Sequence, residues 1–269
     1  MLNNTSIISI LIFCINILFS SEYYVATFGS DNNPGSFISP FRTIQQAADI
    51  MVAGDICYIR QGTYHETVTV NDKDGIDGYP IIFSNYNNEK VLLDGTVPIE
   101  TIWETHSNGI WKTTLDFDIW QLFLDRKEIL MARWPNANIE DGSIWNKDDY
   151  WGHGTIDQDD EAYDNGTLID EPHSDINLAT IGFDITDAVA ILNVGSFKTW
   201  TRRVNSHNGN TFTYDTVPDW KVKHHDYYLE GKLEFLNSEN EWFFNPETKE
   251  LYYYPPNDLN PNTLDIRGK

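Results

Sequence analysis

Carboxylates are the commonest chemistry-bearing groups in this chain, with 41 Asp and Glu against 18 Lys and Arg. Two carboxyl groups facing one sugar would be enough to hydrolyse a glycosidic bond. The adjacent pairs Asp148-Asp149 and Asp159-Asp160 do not meet that need, because neighbours on a strand point to opposite faces. They read as solvated acidic loop. The run from Asp157 to Gly166 clusters the oxygen ligands that calcium takes, yet it lacks the Gly at position six and the Glu at position twelve of an EF-hand loop. Calcium is therefore possible without a specific motif, and no metal or cofactor is assigned. His153, His173 and His207 show no H-E-x-x-H spacing, which argues against a zinc protease site. A Gly-rich phosphate loop and a G-x-S-x-G elbow are both missing from the sequence.

Rings are the other resource. Apolar sugar faces pack on aromatic side chains while the hydroxyls find polar partners. Arg133-Trp134 before Pro135, and Trp200 with Arg202, are the best substrate-binding candidates. Core or inter-domain packing is the commoner role for each Trp, and Arg133 could equally be a buried anchor for its turn. A lyase acting on uronates would instead want a cation or Arg/Lys beside the substrate carboxylate. Arg202-Arg203 and Lys221, Lys223, His224 and His225 are few and scattered for that task.

The elements that must carry these groups differ along the chain. At 269 residues and 41% hydrophobic content there is material for one large domain or two modest ones. All nine Trp fall after residue 102, so the two parts differ in kind. A formal charge of −23 excludes wrapping nucleic acid or coating an anionic membrane, and it weighs mildly against polyanionic glycans. Ile7–Phe19 is a 13-residue apolar run, too short to span a bilayer and of signal-peptide length, with Ser20 and Ser21 after it. Residues 1–21 are expected to be removed on export to the cell surface, periplasm or medium, with no membrane contact afterwards; an uncleaved anchor is the alternative, since no Lys or Arg precedes the run. That would leave Cys57 without Cys14, a lone thiol with no disulfide framework.

Residues 22–100 read as short strands with one helix. Thr43 can cap a helix, with Gln46 as capping-box partner and Gly54 as its end. Ile44, Ala47, Ala48 and Met51 make one apolar stripe. Strands are expected at Tyr23–Thr27, Ile56–Arg60, Glu66–Val70, Ile81–Ser84 and Val91–Asp94, with Ile81 25 residues after Ile56 and Val91 24 residues after Thr67. Such a period is what stacked coils of a solenoid give.

Tyr23-Tyr-Val-Ala, the Gly29–Gly35 turn, Ser39-Pro-Phe-Arg-Thr-Ile-Gln, Gly54-Asp, Gly62-Thr-Tyr-His-Glu, Gly78-Tyr-Pro-Ile-Ile-Phe and Leu93-Asp-Gly come in a telling order. Together they resemble the opening of right-handed parallel β-helix proteins that act on carbohydrates. Gln61 and His65 stand where such proteins usually carry Gly and Arg.

After Gly95 the sequence becomes Trp-rich and antiparallel in character. Hairpins are expected around Asp125–Glu128 and Pro246–Lys249, strands at Ala188–Val194, Lys198–Val204 and Thr211–Asp215, and a turn at Asn208-Gly209. Short strands joined by turns argue for a small β-sandwich or barrel. Gln121-Leu-Phe-Leu-Asp, Met131-Ala-Arg-Trp-Pro-Asn136, Glu241-Trp-Phe-Phe-Asn and Glu250-Leu-Tyr-Tyr-Tyr-Pro-Pro resemble the β-domain inserted early in β-helical glycoside hydrolases of α-galactosidase and β-xylosidase type. The resemblance implies an inserted domain over 101–256 that shapes one wall of a substrate cleft. It also implies a return strand to the helix over 257–269, and catalytic carboxylates on later coils beyond Lys269. The expected fold is thus mainly β, the start of a parallel β-helix under a capping helix plus an antiparallel insert. The expected role is that of the N-terminal part of a secreted glycoside hydrolase with a carbohydrate substrate. A non-catalytic glycan-binding or adhesin-like protein and a polysaccharide lyase are the alternatives.

Overall fold

The computed structural model describes residues 20–155, 166–195, 198–217 and 225–269. Ile7–Phe19 with Cys14, the acidic run from Asp157 with Asp159-Asp160, and Lys221, Lys223 and His224 lie outside the described residues. The chain divides into two compact units, Met1–Gly95 and Thr96–Lys269. Both are mainly β, and no described helix is long and apolar enough to cross a membrane.

In the first unit, strands β1 (Glu22–Val25), β2 (Ile56–Ile59) and β4 (Ile82–Asn85) form one parallel sheet, and β3 (Gly62–Tyr64) and β5 (Val91–Leu93) a second. Ile56 pairs with Ile82 and Gly62 with Val91, so the stagger between paired strands is 26 and 29 residues rather than 25 and 24. The expected strand Glu66–Val70 is not formed; the pairing segment lies earlier, at Gly62–Tyr64. The reason is a competing set of hydrogen bonds. Glu66 accepts from the N–H groups of Ile44 (2.9 Å) and Gln45 (3.0 Å), and Thr69 exchanges bonds with the Gln45 amide. Residues 66–69 are thereby tied to a helix start, where unsatisfied N–H groups favour a carboxylate.

That helix, α1 (Ile44–Ile50), starts as expected, with Thr43 Oγ1 accepting from Gln46 N at 3.2 Å. The reciprocal half of the capping box is absent: Thr43 N donates to Asp31 instead. The helix stops at Ile50, short of Gly54, because buried Asp55 takes the N–H of Val52 and of Ser21. Ile44, Ala47 and Met51 face a core completed by Val25, Phe41, Cys57, Ile59 and Tyr64. His65 Nδ1 lies 3.1 Å from Asp94 O.

The second unit holds two large sheets. One has eight strands, in the order β6 (Val97–Pro98), β20 (Ile266–Gly268), β9 (Leu122–Leu124), β10 (Lys127–Met131), β18 (Glu241–Asn245), β19 (Glu250–Tyr254), β8 (Ile110–Thr114) and β7 (Glu104–Ser107). It curls as a half-barrel. Trp242, Phe244, Leu251 and Tyr253 line one of its faces, and Phe243, Tyr252 and Tyr254 line the other. The second sheet runs β11 (Arg133–Trp134), β17 (Asp226–Glu230), β12 (Gly152–Thr155), β13 (Thr167–Asp170), β16 (Thr211–Tyr214), β15 (Lys198–Asn208) and β14 (Val189–Gly195). Pairing of β14 with β17 closes it into a barrel. Leu168, Ala190, Leu192, Val204, Phe212, Tyr227 and Leu229 fill the interior, joined by Phe243 and Tyr252 from the half-barrel. A buried polar tie holds one wall: Asp170 accepts from Tyr227 Oη (2.7 Å) and from Leu178 N (2.8 Å).

The hairpin around Pro246–Lys249 has its turn where expected, with Asn245 paired to Glu250, and two other expected turns are shifted. Leu124 pairs with Lys127, so the first turn is Asp125-Arg126, and Asn208 pairs with Thr211, so the other is Gly209-Asn210. The segment expected as a return to the helix forms β20, antiparallel to both β9 and β6 inside the eight-stranded sheet. Its neighbours are strands of its own unit.

Candidate functional site

The β9–β10 hairpin, the loop from Asn136 to Ser143, Tyr150, the segment Ser238–Glu241 and Pro256 surround a cleft of about 420 Å³. The loop is shaped by its own short polar side chains. Ser143, nearly buried, accepts from Asn138 N (2.7 Å), Asn138 Oδ1 accepts from Glu140 N (2.7 Å), and Asp141 Oδ1 accepts from Ser143 N (2.8 Å). Asn136 Nδ2 donates to Asn237 Oδ1 at 2.6 Å, which ties the loop to the segment leading into β18. Two walls of the cleft are thus joined covalently by β-strands and non-covalently across their tips.

Its charge is one-sided. Asp125, Glu128, Glu140, Asp141 and Glu239 are exposed on the walls, and Lys127 is the one basic residue among the described lining residues. Lys127 Nζ stands 4.0 Å from Glu140. Ser143 holds the Asp141 carboxyl below the usual range. Leu124, Ile129, Leu130, Ala137 and Pro256 give apolar surface beside these polar groups. A concave site with apolar walls and a few convergent polar groups is the usual form of a small-molecule site.

Glu241 differs from the other acids. It is 2% exposed, and neither carboxyl oxygen has a hydrogen-bond partner among the described residues. The backbone amides of Ser238, Asn237 and Arg133 lie near it without completing hydrogen-bond geometry. Burial pushes its carboxyl up to about 8, with those amides and Arg133 opposing. Glu230, on β17, is pushed up to about 7 by burial, again opposed by Arg133.

Arg133 links these groups to the barrel. It is 2% exposed; Nε donates to Pro135 O and an Nη to Tyr150 O, both at 2.9 Å. Its guanidinium sits 3.8 Å from the Tyr228 ring centroid and 5.7 Å from that of Trp151. This is the geometry of an anchor: the donors hold the chain that leads from β11, across the cis Trp134–Pro135 peptide, to the cleft loop. Trp134 is half-buried against the barrel core and 6.1 Å from Tyr227.

The other two sequence candidates lie on β15. Trp200 also packs against the barrel core, and Arg202 spends its guanidinium on the carbonyls of Asp215, Thr201 and Thr216. Arg133 and Trp134 come together on β11 against β17; no hydrogen bond, ring contact or ion pair joins them to Trp200 or Arg202 among the described residues. Arg203 donates to Asp187 O. Asp148 and Asp149 lie exposed on the short helix α2 (Lys147–Tyr150). The rings of His153 and His173 stack at 3.7 Å, with Asp226 3.8 Å from His153, while His207 pairs with Asp184 at 3.5 Å. Among the described residues no group of three or more His, Cys, Asp or Glu is placed to hold a metal.

Sequence reasoning missed Glu241, Tyr150 and Trp145. Trp145 is 80% exposed and stands two residues after Ser143, next to the cleft loop. Trp120 is exposed as well, whereas Trp103, Trp151 and Trp242 are buried. A polar neighbourhood around Trp145 was the available signal, since Asn146, Lys147, Asp148 and Asp149 follow it.

No family model matches the chain. Over 87 residues it is 45% identical to an uncharacterized protein, YwoF, of Bacillus subtilis, covering 32% of this chain and 18% of that one. Over 77 residues it is 35% identical to pectate lyase PEL9 of Emericella nidulans, covering 28% of this chain and 19% of that one. The matched stretches span less than a fifth of the length of these curated relatives. A solved structure described as a glycoside hydrolase aligns with a TM-score of 0.65 at 18% identity, covering 92% of this chain and 46% of that one. At that identity the likeness is one of fold.

Proposed function

We propose that this chain contributes a glycan-binding region to a secreted carbohydrate-active enzyme of glycoside hydrolase type. In this reading the stacked parallel strands of the first unit are the opening coils of a right-handed β-helix, and the second unit is a β-domain set beside the substrate path. The observation that carries it is the cleft between the β9–β10 hairpin and the Asn136–Ser143 loop. Its acids and amides offer acceptors and donors to hydroxyl groups, its aliphatic side chains offer apolar surface, and exposed Trp145 follows the cleft loop two residues after Ser143. The fold likeness to a glycoside hydrolase supports the architecture. The identity to a pectate lyase supports the carbohydrate class and favours one second reading, a lyase. Against the lyase stands the charge of the cleft, since among its described lining residues a polyuronate would meet five exposed carboxylates and one ammonium.

Calorimetric titration of the protein with neutral, amino and acidic oligosaccharides tests the proposal. Saturable binding of at least one class is expected, weakened several-fold by Trp145→Ala with thermal stability unchanged. Silence across the whole panel would remove the glycan reading. Preferential binding of oligogalacturonide, strengthened by calcium, would select the lyase.

A further inference from the structure

We propose that an export peptidase cuts this chain between Ser20 and Ser21, and that the ammonium so created at Ser21 pairs with the buried carboxylate of Asp55. This inference rests on the secreted character proposed above and is independent of the glycan reading. Asp55 lies between α1 and β2 and is 1% exposed. Its Oδ1 accepts from Ser21 N at 2.8 Å and its Oδ2 from Val52 N at 2.9 Å. No described basic side chain forms an ion pair with it. Lys73, which reaches the same end of α1, gives its ammonium to the carbonyls of Asp49 and Met51. A carboxylate removed from water calls for a counter-charge as well as donors. The nitrogen of Ser21 already stands where that charge is needed, and hydrolysis of one peptide bond supplies it.

Ile7–Phe19 reads as the apolar run of an export signal, and Ser20 is the small residue before the bond. Water adds across the Ser20–Ser21 peptide; Ser20 leaves as a carboxylate and Ser21 stays as an ammonium. A cut one residue later, at the boundary expected from the sequence, would discard Ser21. That residue is held at both ends, because its carbonyl also accepts from Ile56 N at 2.9 Å, beside the Glu22–Ile56 pair that opens the parallel sheet. Ser20 is exposed, and its one hydrogen bond runs from the hydroxyl to Gly54 O. An ionised donor makes a stronger hydrogen bond to a carboxylate than an amide N–H does. The cut therefore tightens the tie between β1, the end of α1 and the start of β2, and the exported form is the more stable one.

The test expresses the chain with its own N-terminal segment in a secreting bacterial host and reads the exported protein by N-terminal sequencing and intact mass. The expected first residue is Ser21. The exported protein is then compared with the same chain carrying an added Gly before Ser21, which moves the ammonium outward and leaves an amide at Ser21. The extension is expected to lower the melting temperature by at least about 2 °C, and to have no effect in an Asp55→Asn background. Acylation of the α-amine near neutral pH needs no substitution at Asp55 and is expected to run at least about fivefold slower at Ser21 than at the added Gly. Equal melting of the two forms, or equal labelling, would overturn the ion pair. A first residue other than Ser21, or an uncleaved chain, would overturn the cut. None of these outcomes bears on whether the second unit binds a glycan.

Discussion

Replacing Glu241 by Gln should make the protein more stable at alkaline pH and leave it nearly unchanged at acid pH. The carboxyl is 2% exposed without a full hydrogen bond to any described residue, and burial raises it from 4.5 to about 8 against the nearby amides of Ser238, Arg133 and Asn237. Between those values the native protein holds a proton that the unfolded chain has released. Native stability therefore falls as pH rises through the window, the reverse of the usual salt-bridged carboxylate. At about 1.4 kcal/mol per unit the ceiling is about 4–5 kcal/mol. Relaxation and water penetration around a buried charge reduce this to an expected ~2–3 kcal/mol. Glutamine keeps the shape and carries no titrating proton, so the variant lacks this loss. Glu230, raised to about 7, stays in both proteins and cancels in the comparison. Urea denaturation followed by Trp fluorescence, at about pH 5 and about pH 8.5, reads the difference. The gain for Gln should be near zero at the lower pH and about 2–3 kcal/mol at the higher. A flat difference, or one that favours Glu as pH rises, would refute the account of Glu241 as a buried, unpartnered acid.

Other expectations follow from the same packing. Arg133→Met should cost about 3 kcal/mol in urea denaturation, because the carbonyls of Pro135 and Tyr150 lose their buried donor, and Arg133→Lys should restore little of it for want of the fork. A cost below about 1 kcal/mol would deny the anchor role. Gly35→Ala should lower stability by about 2 kcal/mol or more, since φ is +76° and the added carbon would fall 2.2 Å from the Phe41 ring; an unchanged melting temperature would contradict that turn geometry. Cys57 is fully buried and its thiol is pushed up to about 12 by burial, with Glu66 adding to it. Site-resolved alkylation at neutral pH should reach it only after unfolding, and rapid labelling of the native protein would sink its placement in the core.

Much of the local pattern was readable in the sequence. The Thr43 cap and the Ile44–Met51 stripe depend on neighbours in the chain, as do the hairpins at Asp125 and Pro246, so propensity and period suffice. What failed depends on distant partners. Glu66–Val70 has the alternation of a strand, but α1 claims Glu66 and Thr69 through hydrogen bonds more than twenty residues away. Strand β12 reads Gly-His-Gly-Thr, without a strand former in its first three positions. Its glycines make room: a side-chain carbon at Gly152 would lie 2.6 Å from the Tyr227 ring, and at Gly154 2.5 Å from Leu168. β7, Glu-Thr-His-Ser, is exposed throughout and has no apolar alternation to read. For the site the limit was exposure. Nine Trp look alike in sequence, and only packing separates exposed Trp145 from buried Trp242. Glu241 stands between Asn240 and Trp242 with nothing local to mark it as buried.

The measurement that tests the central claim most directly is a chemical-shift titration of the isotope-labelled protein with the oligosaccharide that binds best in calorimetry. The account predicts saturable shifts confined to the β9–β10 hairpin, Asn136–Trp145, Tyr150 and Ser238–Glu241. Shifts centred on Trp200 and Arg202, or none with any glycan, would contradict it.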